Sequence, residues 1–421
     1  MKVKIWVWTG VAILAAGIVA GAVWWKLRPQ TFTLSNGTKL KLVAVTYGKH
    51  HNFPGKRMPV RANRRGGPLD STNDTLFVWI EQQHRGNQWP NYSLLVYDRA
   101  GTACAGNSMM TTRQLRPGDE VVATRLDAFP RRAGKFYLRV QEWNPQNGRQ
   151  TVKDGFVVAN PARGQFPTWF PDPLPDTQSD GDLDVTLTKL VCGVQTPWRR
   201  NDAVPDDAMN KAVQVEFDVR QNGHTATNWQ PVRIETSDAT GNHANGYVNT
   251  TYQNGEPMIF YQWGLWPDEP AWKLRVEFSR SSGFTDDELW TVPNVPVENG
   301  KMQDFWNNNP RNRNQPGVAE TTLNGFHLKI FPVKYFTDQP PDSSQQGAFQ
   351  VQVDPVPEGM QMTLAKVTDD LGRPVGNWRW SWGGNFNAYA LRQLDGVKSI
   401  NVTLALHKSR FLEFTVKPAK P

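Results

Sequence analysis

A turn signature, Asp-x-x-Gly, follows a strand-like run at three widely spaced positions in this chain. It occupies residues 98–101, 238–241 and 369–372. Aspartate closes such a turn through its own side chain, and glycine adopts backbone angles that other residues avoid. An internal repeat constrains a fold more than any single motif does, because it bears on the architecture of every copy at once. The three turns therefore predict three tandem domains of one kind.

Each turn lies within a similar series of strand patterns. Over residues 213–220, apolar and polar residues alternate with the period of two that is typical of a half-buried strand. Residues 75–80 are apolar on both faces, which predicts a central strand. Each copy then ends with a short apolar run and a proline, at 156–161, 289–293 and 414–418. The matched order predicts that every copy is closed by its own last strand.

The composition supports an all-β class. The chain has 421 residues with 34 Gly and 31 Pro, and no long amphipathic helical pattern follows residue 30. Short strands with frequent turn signals are typical of β-sandwiches. We predict an all-β protein with an N-terminal transmembrane helix and three tandem β-sandwich, immunoglobulin-like domains, each burying its own core. The predicted boundaries are 1–31 for a signal-anchor helix, 32–160 for sandwich 1, 161–181 for a proline-rich linker, 182–298 for sandwich 2, 299–319 for an asparagine-rich linker and 320–418 for sandwich 3.

The N-terminal segment bears on where the protein resides. Residues 5–25 carry no charge, and a run of about 20 apolar residues crosses a bilayer as a helix. Two tryptophans lie near each end of the run, as in interfacial aromatic belts. The alternative is a cleaved signal peptide, because residues 20–22 satisfy a cleavage rule. A retained anchor is favoured. The expected location is the cell membrane, single-pass, with the domains on the extracytoplasmic side.

A basic loop follows the first alternating run. Residues 49–67 contain no acidic residue, and glycines and prolines interrupt them. The candidate binding residues here are Lys56, Arg57, Arg61, Arg64 and Arg65. Two interpretations stay open, which are contact with an anionic lipid or envelope polymer and a solvated insertion. Charges elsewhere are mixed and no nucleic-acid-binding motif is present, so nucleic acid is not an expected partner.

Three tryptophans, Trp378, Trp380 and Trp382, stand at alternate positions near the C-terminal end. Alternation puts all three on one face of a strand. An exposed face would be a flat platform for a carbohydrate or protein partner, whereas a buried face would be the core of the third domain. Arg379 and Ser381 on the other face favour burial. A second group, Trp263, Trp266 and Trp272, stands among glycines and prolines, which favours an exposed aromatic patch.

No residue pattern identifies an enzyme. The sequence has no nucleophile elbow, zinc-protease motif, phosphate-binding loop or dinucleotide fingerprint. Residues 286–288 are acidic, but a glycosidase needs two carboxylates across a cleft. His50 and His51 are adjacent, so they point opposite ways on a strand and make a poor metal site. Residues 180, 182 and 184 have the odd-position carboxylates of a calcium loop, but the glycine and glutamate of such a loop are missing, which favours a solvated linker end over a calcium site. No catalytic residue, cofactor or metal is predicted. Cys104 and Cys192 fall in different copies and are expected to be free thiols.

These observations favour a membrane-anchored extracytoplasmic β-sandwich protein with a binding or structural role at the cell envelope. The expected partners are the membrane through residues 5–25, an anionic polymer or lipid at the loop 49–67, and a carbohydrate or protein ligand. The alternative is an exported polysaccharide-acting enzyme. Whether the chain is an enzyme stays open, with the balance against it.

Overall fold

The computed structural model describes most of the chain between residues 30 and 420. The described ranges are 30–51, 69–83, 92–97, 103–105, 110–116, 119–126, 128–143, 150–162, 164–195, 211–253, 256–261, 264–307, 316–340, 343, 345–381 and 386–420. The predicted transmembrane segment 5–25, most of the basic loop and Trp382 lie outside these ranges. Within the ranges, no helix is both long and apolar enough to span a bilayer.

The regular secondary structure of the described chain is almost entirely β-strand, which confirms the all-β prediction. A first unit contains β1 (Thr31–Thr33), β2 (Lys39–His51), β3 (Leu69–Gln83), β4 (Tyr92–Tyr97), β5 (Ala103–Ala105), β6 (Met110–Arg116), β7 (Asp119–Leu126), β8 (Lys135–Trp143) and β9 (Gln150–Ala159). These strands form two sheets, ordered β1-β2-β3-β7-β6 and β5-β4-β8-β9. The central position of β3, predicted from its apolar faces, is confirmed. Leu76 and Val78 on β3 share one hydrophobic core with Leu138 on β8.

The second unit begins with eight consecutive strands. They are β10 (Asp176–Asp180), β11 (Leu183–Gln195), β12 (Lys211–Gln221), β13 (His224–Thr225), β14 (Trp229–Asp238), β15 (His243–Gln253), β16 (Glu256–Tyr261) and β17 (Trp272–Arg280). Strand β15 joins two sheets, because its first half pairs with β14 and its second half pairs with β16. The hydrogen-bonded path therefore runs β10-β11-β12-β16-β15-β14-β17 and folds over one core.

The third unit occupies the rest of the chain. Its elements are β18 (Leu289–Gly300), α1 (Met302–Asn307), β19 (Ala319–Leu323), β20 (Phe326–Ile330), β21 (Val333–Phe336), β22 (Gly347–Val353), β23 (Met360–Asp369), β24 (Asn377–Ser381), β25 (Phe386–Leu391) and β26 (Ser399–Lys408). One sheet is built around β22, which pairs with β20, β21 and β25. The other places β26 between β18 and β23.

The closing strands of the second and third units are exchanged. The last strand of the chain, β27 (Arg410–Val416), pairs with β17 of the second unit. Conversely, β18 pairs with β26 of the third unit, although it directly follows the second. The sequence predicts the opposite, with residues 289–293 closing sandwich 2 and residues 414–418 closing sandwich 3. The strand pairing corrects that assignment.

The connection between β26 and β27 explains the exchange. Only Ser409 separates the two strands. The shortest common hairpin needs two turn residues, so β27 cannot fold back onto β26 and instead continues into the neighbouring unit. There it buries Phe414 and Val416, both 0% exposed, in the core of the second unit.

The hydrophobic cores divide differently from the predicted sandwiches. One cluster contains buried residues from both the first and second units and ends with β27. A second cluster contains the third unit together with β18. The expectation that each copy buries a separate core is therefore wrong for the first two units. Their described cores are continuous.

Candidate functional site

The second copy of the repeated turn lies at the joint between the first and second units. Asp238 is 2% exposed and accepts hydrogen bonds from the amides of Thr240 (2.8 Å) and Asn242 (3.2 Å). Gly241 has a φ of +87°, the left-handed conformation that favours glycine. The turn holds Asn242 in place, because the side-chain amide of Asn242 donates to Asp238 at 2.9 Å.

Asn242 carries the contact into the first unit. Its Nδ2 donates to the carbonyl of Phe129 at 3.0 Å, and its Oδ1 accepts from the amide of Phe129 at 3.1 Å. The same Oδ1 accepts from Nε of Arg131 at 2.9 Å. Asn242 is 1% exposed, so these bonds satisfy groups that water does not reach.

Arg131 is the hub of this first joint. It donates to the carbonyl of Thr240 in the second unit and to the carbonyl of Asp74 and the hydroxyl of Tyr47 in the first, each at 3.0 Å. Its guanidinium also lies 5.1 Å from the ring centre of Phe129, within cation–π range. The side chain is 5% exposed. A buried guanidinium with this many partners fixes the two units relative to each other.

An ion pair flanks the hub. Nε of Arg132 donates to both carboxylate oxygens of Glu269, at 3.0 and 3.1 Å. Burial raises the pKa of Glu269, and the bond from Arg132 only partly opposes this effect. The guanidinium of Arg132 also donates to the carbonyl of Pro167, which attaches the predicted linker 161–181 to the joint.

The third copy of the turn has the same internal bonds but projects outward. Asp369 accepts from the amides of Leu371 (3.0 Å) and Arg373 (2.8 Å). Leu371 is 72% exposed. Arg373 occupies the position that corresponds to Asn242, four residues after the aspartate. The two described copies of the repeat therefore form the same turn. The residue that directly follows the turn differs: it is Asn242 where the turn packs against another unit, and Arg373 where the turn is exposed. Residues 98–101 lie outside the described ranges.

A cleft of about 740 Å³ lies at the joint between the second and third units, where the closing strands cross. Its walls carry Asp180, Gln221, Trp229, Arg280, Asp287, Glu288, Asn324, Phe326, Met360, His407, Lys408 and Arg410. It combines aromatic, cationic and acidic side chains, and it is our candidate functional site.

Two arginines stack on one tryptophan in this cleft. The guanidinium carbons of Arg280 and Arg410 lie 5.7 and 5.1 Å from the ring centre of Trp229. Arg280 pairs with Glu288, and Arg410 pairs with Asp182 at 2.6 Å. Hydrogen bonds from Gln221 and Arg410 lower the pKa of Asp182. The cationic groups therefore already have acidic partners, and the cleft presents a charge-compensated wall.

A buried polar cluster lies where the strands cross. Glu277 is 3% exposed and accepts from Oγ of Ser409 at 2.5 Å and from Nε2 of Gln361 at 2.8 Å. Glu277 lies on β17, Gln361 lies on β23, and Ser409 is the link between β26 and β27. Because a buried carboxylate is costly unless it is hydrogen-bonded, this cluster ties the crossing strands together.

His407 is the titratable group of the crossing. It is 1% exposed, and its Nε2 lies 3.1 Å from Oγ1 of Thr363 and 3.4 Å from Oγ of Ser279. Its Nδ1 lies 3.1 Å from the carbonyl of Lys408, so this nitrogen carries the proton and Nε2 accepts. Burial lowers the pKa of His407. The hydrogen-bond partners described for the ring are thus two hydroxyl groups and a backbone carbonyl.

Other candidates from the sequence have different structural roles. His50 pairs with Asp70 at 2.9 Å on the surface, whereas His51 is 1% exposed and contacts Thr46. Asp182 and Asp184, the possible calcium ligands, bond to Arg410 and Ser179 respectively. Within the described ranges no group of three His, Cys, Asp or Glu residues could hold a metal ion.

The predicted binding residues are only partly described. Trp378 and Trp380 lie on β24, which pairs with β25, but their side chains and the whole of Trp382 lie outside what is described. The cations of the basic loop, Lys56, Arg57, Arg61, Arg64 and Arg65, lie outside the described ranges as well. Neither prediction is tested.

The second aromatic patch is a wrong prediction for two of its three members. Trp266 and Trp272 are 4% and 0% exposed, and Nε1 of Trp272 donates to the carbonyl of Trp266 at 3.1 Å. They belong to the core because burial of their large apolar rings is favourable, and this effect outweighs the turn signal of the neighbouring glycine and prolines. Trp263 lies outside the described ranges. Cys192 is buried, and its Sγ lies 3.6 Å from the carbonyl of Leu265.

The joint residues Asn242, Arg131 and His407 were not predicted. A signal for one of them exists, since Asn242 directly follows the repeated turn. Nothing in the sequence connects it with Phe129, which lies in another unit. In comparisons with protein-family models, curated proteins and solved structures, nothing matches this chain.

Proposed function

We propose that this chain is a membrane-anchored extracytoplasmic protein with a binding or structural role at the cell envelope. The apolar segment 5–25 would be the anchor, and the three units would be immunoglobulin-like sandwiches. Rigid coupling of the units supports a role in which surface loops are held at fixed positions.

Strand order supports the immunoglobulin-like assignment. In such a sandwich the first, second, fifth and fourth strands form one sheet, and the third, sixth and seventh form the other. In the first unit the sheet β2-β3-β7-β6 faces β4-β8-β9. In the second unit β11-β12-β16-β15 faces β14-β17-β27. The third unit follows the same order when β18 is taken as its closing strand.

The exchange of β18 and β27 is the observation that carries the proposal. Tandem domains joined by a simple linker move relative to each other by default. Here the chain crosses between the second and third units twice, and each crossing strand is hydrogen-bonded into the unit it enters. The first joint adds the buried hub around Arg131. A chain that holds its units in this way is suited to present surfaces at a defined distance from a membrane.

The alternative function is an exported polysaccharide-acting enzyme. The observation that favours it is the cleft at the strand crossing, where Asp180, Asp287 and Glu288 line the walls. A glycosidase uses two carboxylates on opposite sides of the bond that it cleaves. Replacing Asp287 by Asn would abolish hydrolysis of an envelope polysaccharide if this alternative holds.

Localisation tests the main proposal. The full chain should remain in the membrane fraction after carbonate extraction, and a variant that starts at residue 30 should be recovered as soluble protein. Protease added outside the cytoplasmic membrane should degrade the three units. If expression of the full sequence instead yields soluble protein whose mature N-terminus is Val23, the segment is cleaved and is not an anchor.

A further inference from the structure

We infer that the outer face of β8 and β9 in the first unit rests on the membrane surface and binds anionic lipid headgroups. The inference rests on the proposed anchor. It adds a specific docking face and a partner of stated chemistry.

The route of the chain into the first unit brings β9 close to the anchor. Nε2 of Gln30 donates to the carbonyl of Val157 at 2.7 Å, and Oε1 of Gln30 accepts from the amide of Val157 at 2.6 Å. Strand β9 is an edge strand, so this side-chain amide satisfies backbone groups that no neighbouring strand pairs. The first described residue is thereby fixed beside β9.

The remaining chain is too short to carry the first unit far from the bilayer. Only four residues, 26–29, lie between position 25, where the apolar segment ends, and Gln30, so five residue-to-residue steps connect the two positions. An extended chain spans at most about 3.5 Å per residue, so Gln30 lies within about 17 Å of the membrane interface. Because Gln30 is bonded to Val157, the surface of β9 around Val157 is within reach of the lipid headgroups.

The residues on this face suit a headgroup region. Direct cross-strand partners are Lys135 with Ala159 and Tyr137 with Val157, so these four residues share one face; we call it the β8–β9 face. Their neighbours Phe136 and Val158 point the other way, into the core, at 0% and 3% exposure. Val157 is 43% exposed.

The β8–β9 face combines the side-chain types that membrane interfaces select. Nζ of Lys135 lies 5.8 Å from the ring centre of Tyr137, so a cation sits over an aromatic ring. Tyrosine is enriched at headgroup level, and lysine keeps its ammonium in the polar layer while its stem lies on apolar surface. Nearby, Asp154 is neutralised by Arg139 at 2.7 Å. The net charge of the face is positive, which matches an anionic surface.

A depth measurement tests the inference on the full chain in lipid vesicles. Cys104 and Cys192 are replaced by Ala, and an environment-sensitive fluorophore is attached through Val157→Cys or, as a control, through Leu371→Cys on the third unit. The vesicles are phosphatidylcholine with or without phosphatidylglycerol, and a nitroxide on the lipid headgroup quenches nearby fluorophores. We expect several-fold stronger quenching at position 157 than at position 371, and more with phosphatidylglycerol.

A second variant separates docking from simple tethering. Lys135→Glu with Tyr137→Ser should reduce quenching at position 157 several-fold while the chain stays in the vesicles. Unchanged quenching in that variant, or equal quenching at positions 157 and 371, overturns docking and leaves the anchor intact. A chain that separates from the vesicles altogether overturns the anchor and the docking face together.

Discussion

The side-chain amide of Asn242 pairs in both directions with the backbone of Phe129. Nδ2 donates to the Phe129 carbonyl at 3.0 Å, and Oδ1 accepts from the Phe129 amide at 3.1 Å. The two residues are 113 positions apart and belong to different units. The side chain of Asn242 thus pairs with a backbone of the other unit as a neighbouring strand would. It is held in position for this by its own bond to Asp238 of the repeated turn.

Removal of this amide should weaken the first joint. Asn242→Ala leaves the buried amide and carbonyl of Phe129 without partners, and each unsatisfied buried group costs about 1–3 kcal/mol. We expect the free energy of unfolding to fall by about 2–6 kcal/mol, measured by denaturant unfolding. Amide hydrogen exchange should increase over residues 128–131.

The chain contains its own control for that experiment. Arg373 occupies the matching position in the third copy of the turn, where its side chain is 64% exposed. Arg373→Ala should change the free energy of unfolding by less than about 1 kcal/mol, because the Arg373 guanidinium is exposed and two backbone amides still bond the buried Asp369 carboxylate. Equal losses in the two variants would mean that the turn itself, and not its docking, is what the mutations disturb.

The last strand should stabilise a unit that it does not follow in sequence. Phe414 is 0% exposed and lies 6.1 Å, centre to centre, from the ring of Phe217 in the second unit. Phe414→Ala should cost about 3–5 kcal/mol. Hydrogen exchange should speed up first in residues 211–280, while residues 347–369 of the third unit stay protected.

Glu413 provides the matched control on the same strand. Its side chain is 55% exposed and lies 3.7 Å from Lys273. Glu413→Ala should leave exchange in both units nearly unchanged. If Phe414→Ala instead loosens residues 347–369 before residues 211–280, the exchange of closing strands is not present in solution.

Acid should open the joint between the second and third units through His407. Burial lowers the folded-state pKa of His407, so the unfolded chain binds a proton at higher pH than the folded chain does. Its contribution to stability is complete above the unfolded-state pKa of about 6.5 and is lost as pH falls from there through the lower folded-state pKa. We expect the melting temperature of the native chain to decrease from pH 7 to pH 5 more than that of His407→Gln.

Two other buried groups have shifted pKa values and need controls. His51 is also buried with a lowered pKa and adds a loss of the same sign. Glu269 has a raised pKa, which gives the opposite sign because the folded chain binds its proton first. His51→Gln therefore serves as the comparison variant. If His407→Gln shows the same acid sensitivity as the native chain, the crossing does not respond to pH.

The sequence predicts strands better than it predicts how they are grouped. Alternation over residues 213–220 and the two apolar faces of residues 75–80 report local burial, and both strands are where the patterns put them. The unit that β27 joins depends on its connection to β26. The sequence has no turn residues around Ser409, and this was the available signal that β27 does not fold back onto β26. The first joint was out of reach, because no periodicity connects Asn242 with Phe129.

The strand that carries Trp378 and Trp380 offers the last test. Their direct partners across the ladder are Ala390 and Ala388, which are 1% and 2% exposed. Both alanines are covered although they lie on the face of β25 opposite Tyr389 and Leu391, which belong to the core of the third unit. Large rings next to two such small residues would pack against them on that side of the sheet. We expect Trp380→Ala to lower the free energy of unfolding by about 3–5 kcal/mol, with a clear drop in melting temperature.

The opposite result would redirect the search for a ligand. If Trp380→Ala leaves thermal unfolding unchanged, the indole is not part of the core and its face is available for binding. A central anchor ring typically contributes about 2–4 kcal/mol to an interface, so the variant would then lose binding to a glycan or protein ligand while keeping its fold. Arg379→Ala, on the opposite face of the same strand, is the matched control and should leave binding intact in that case.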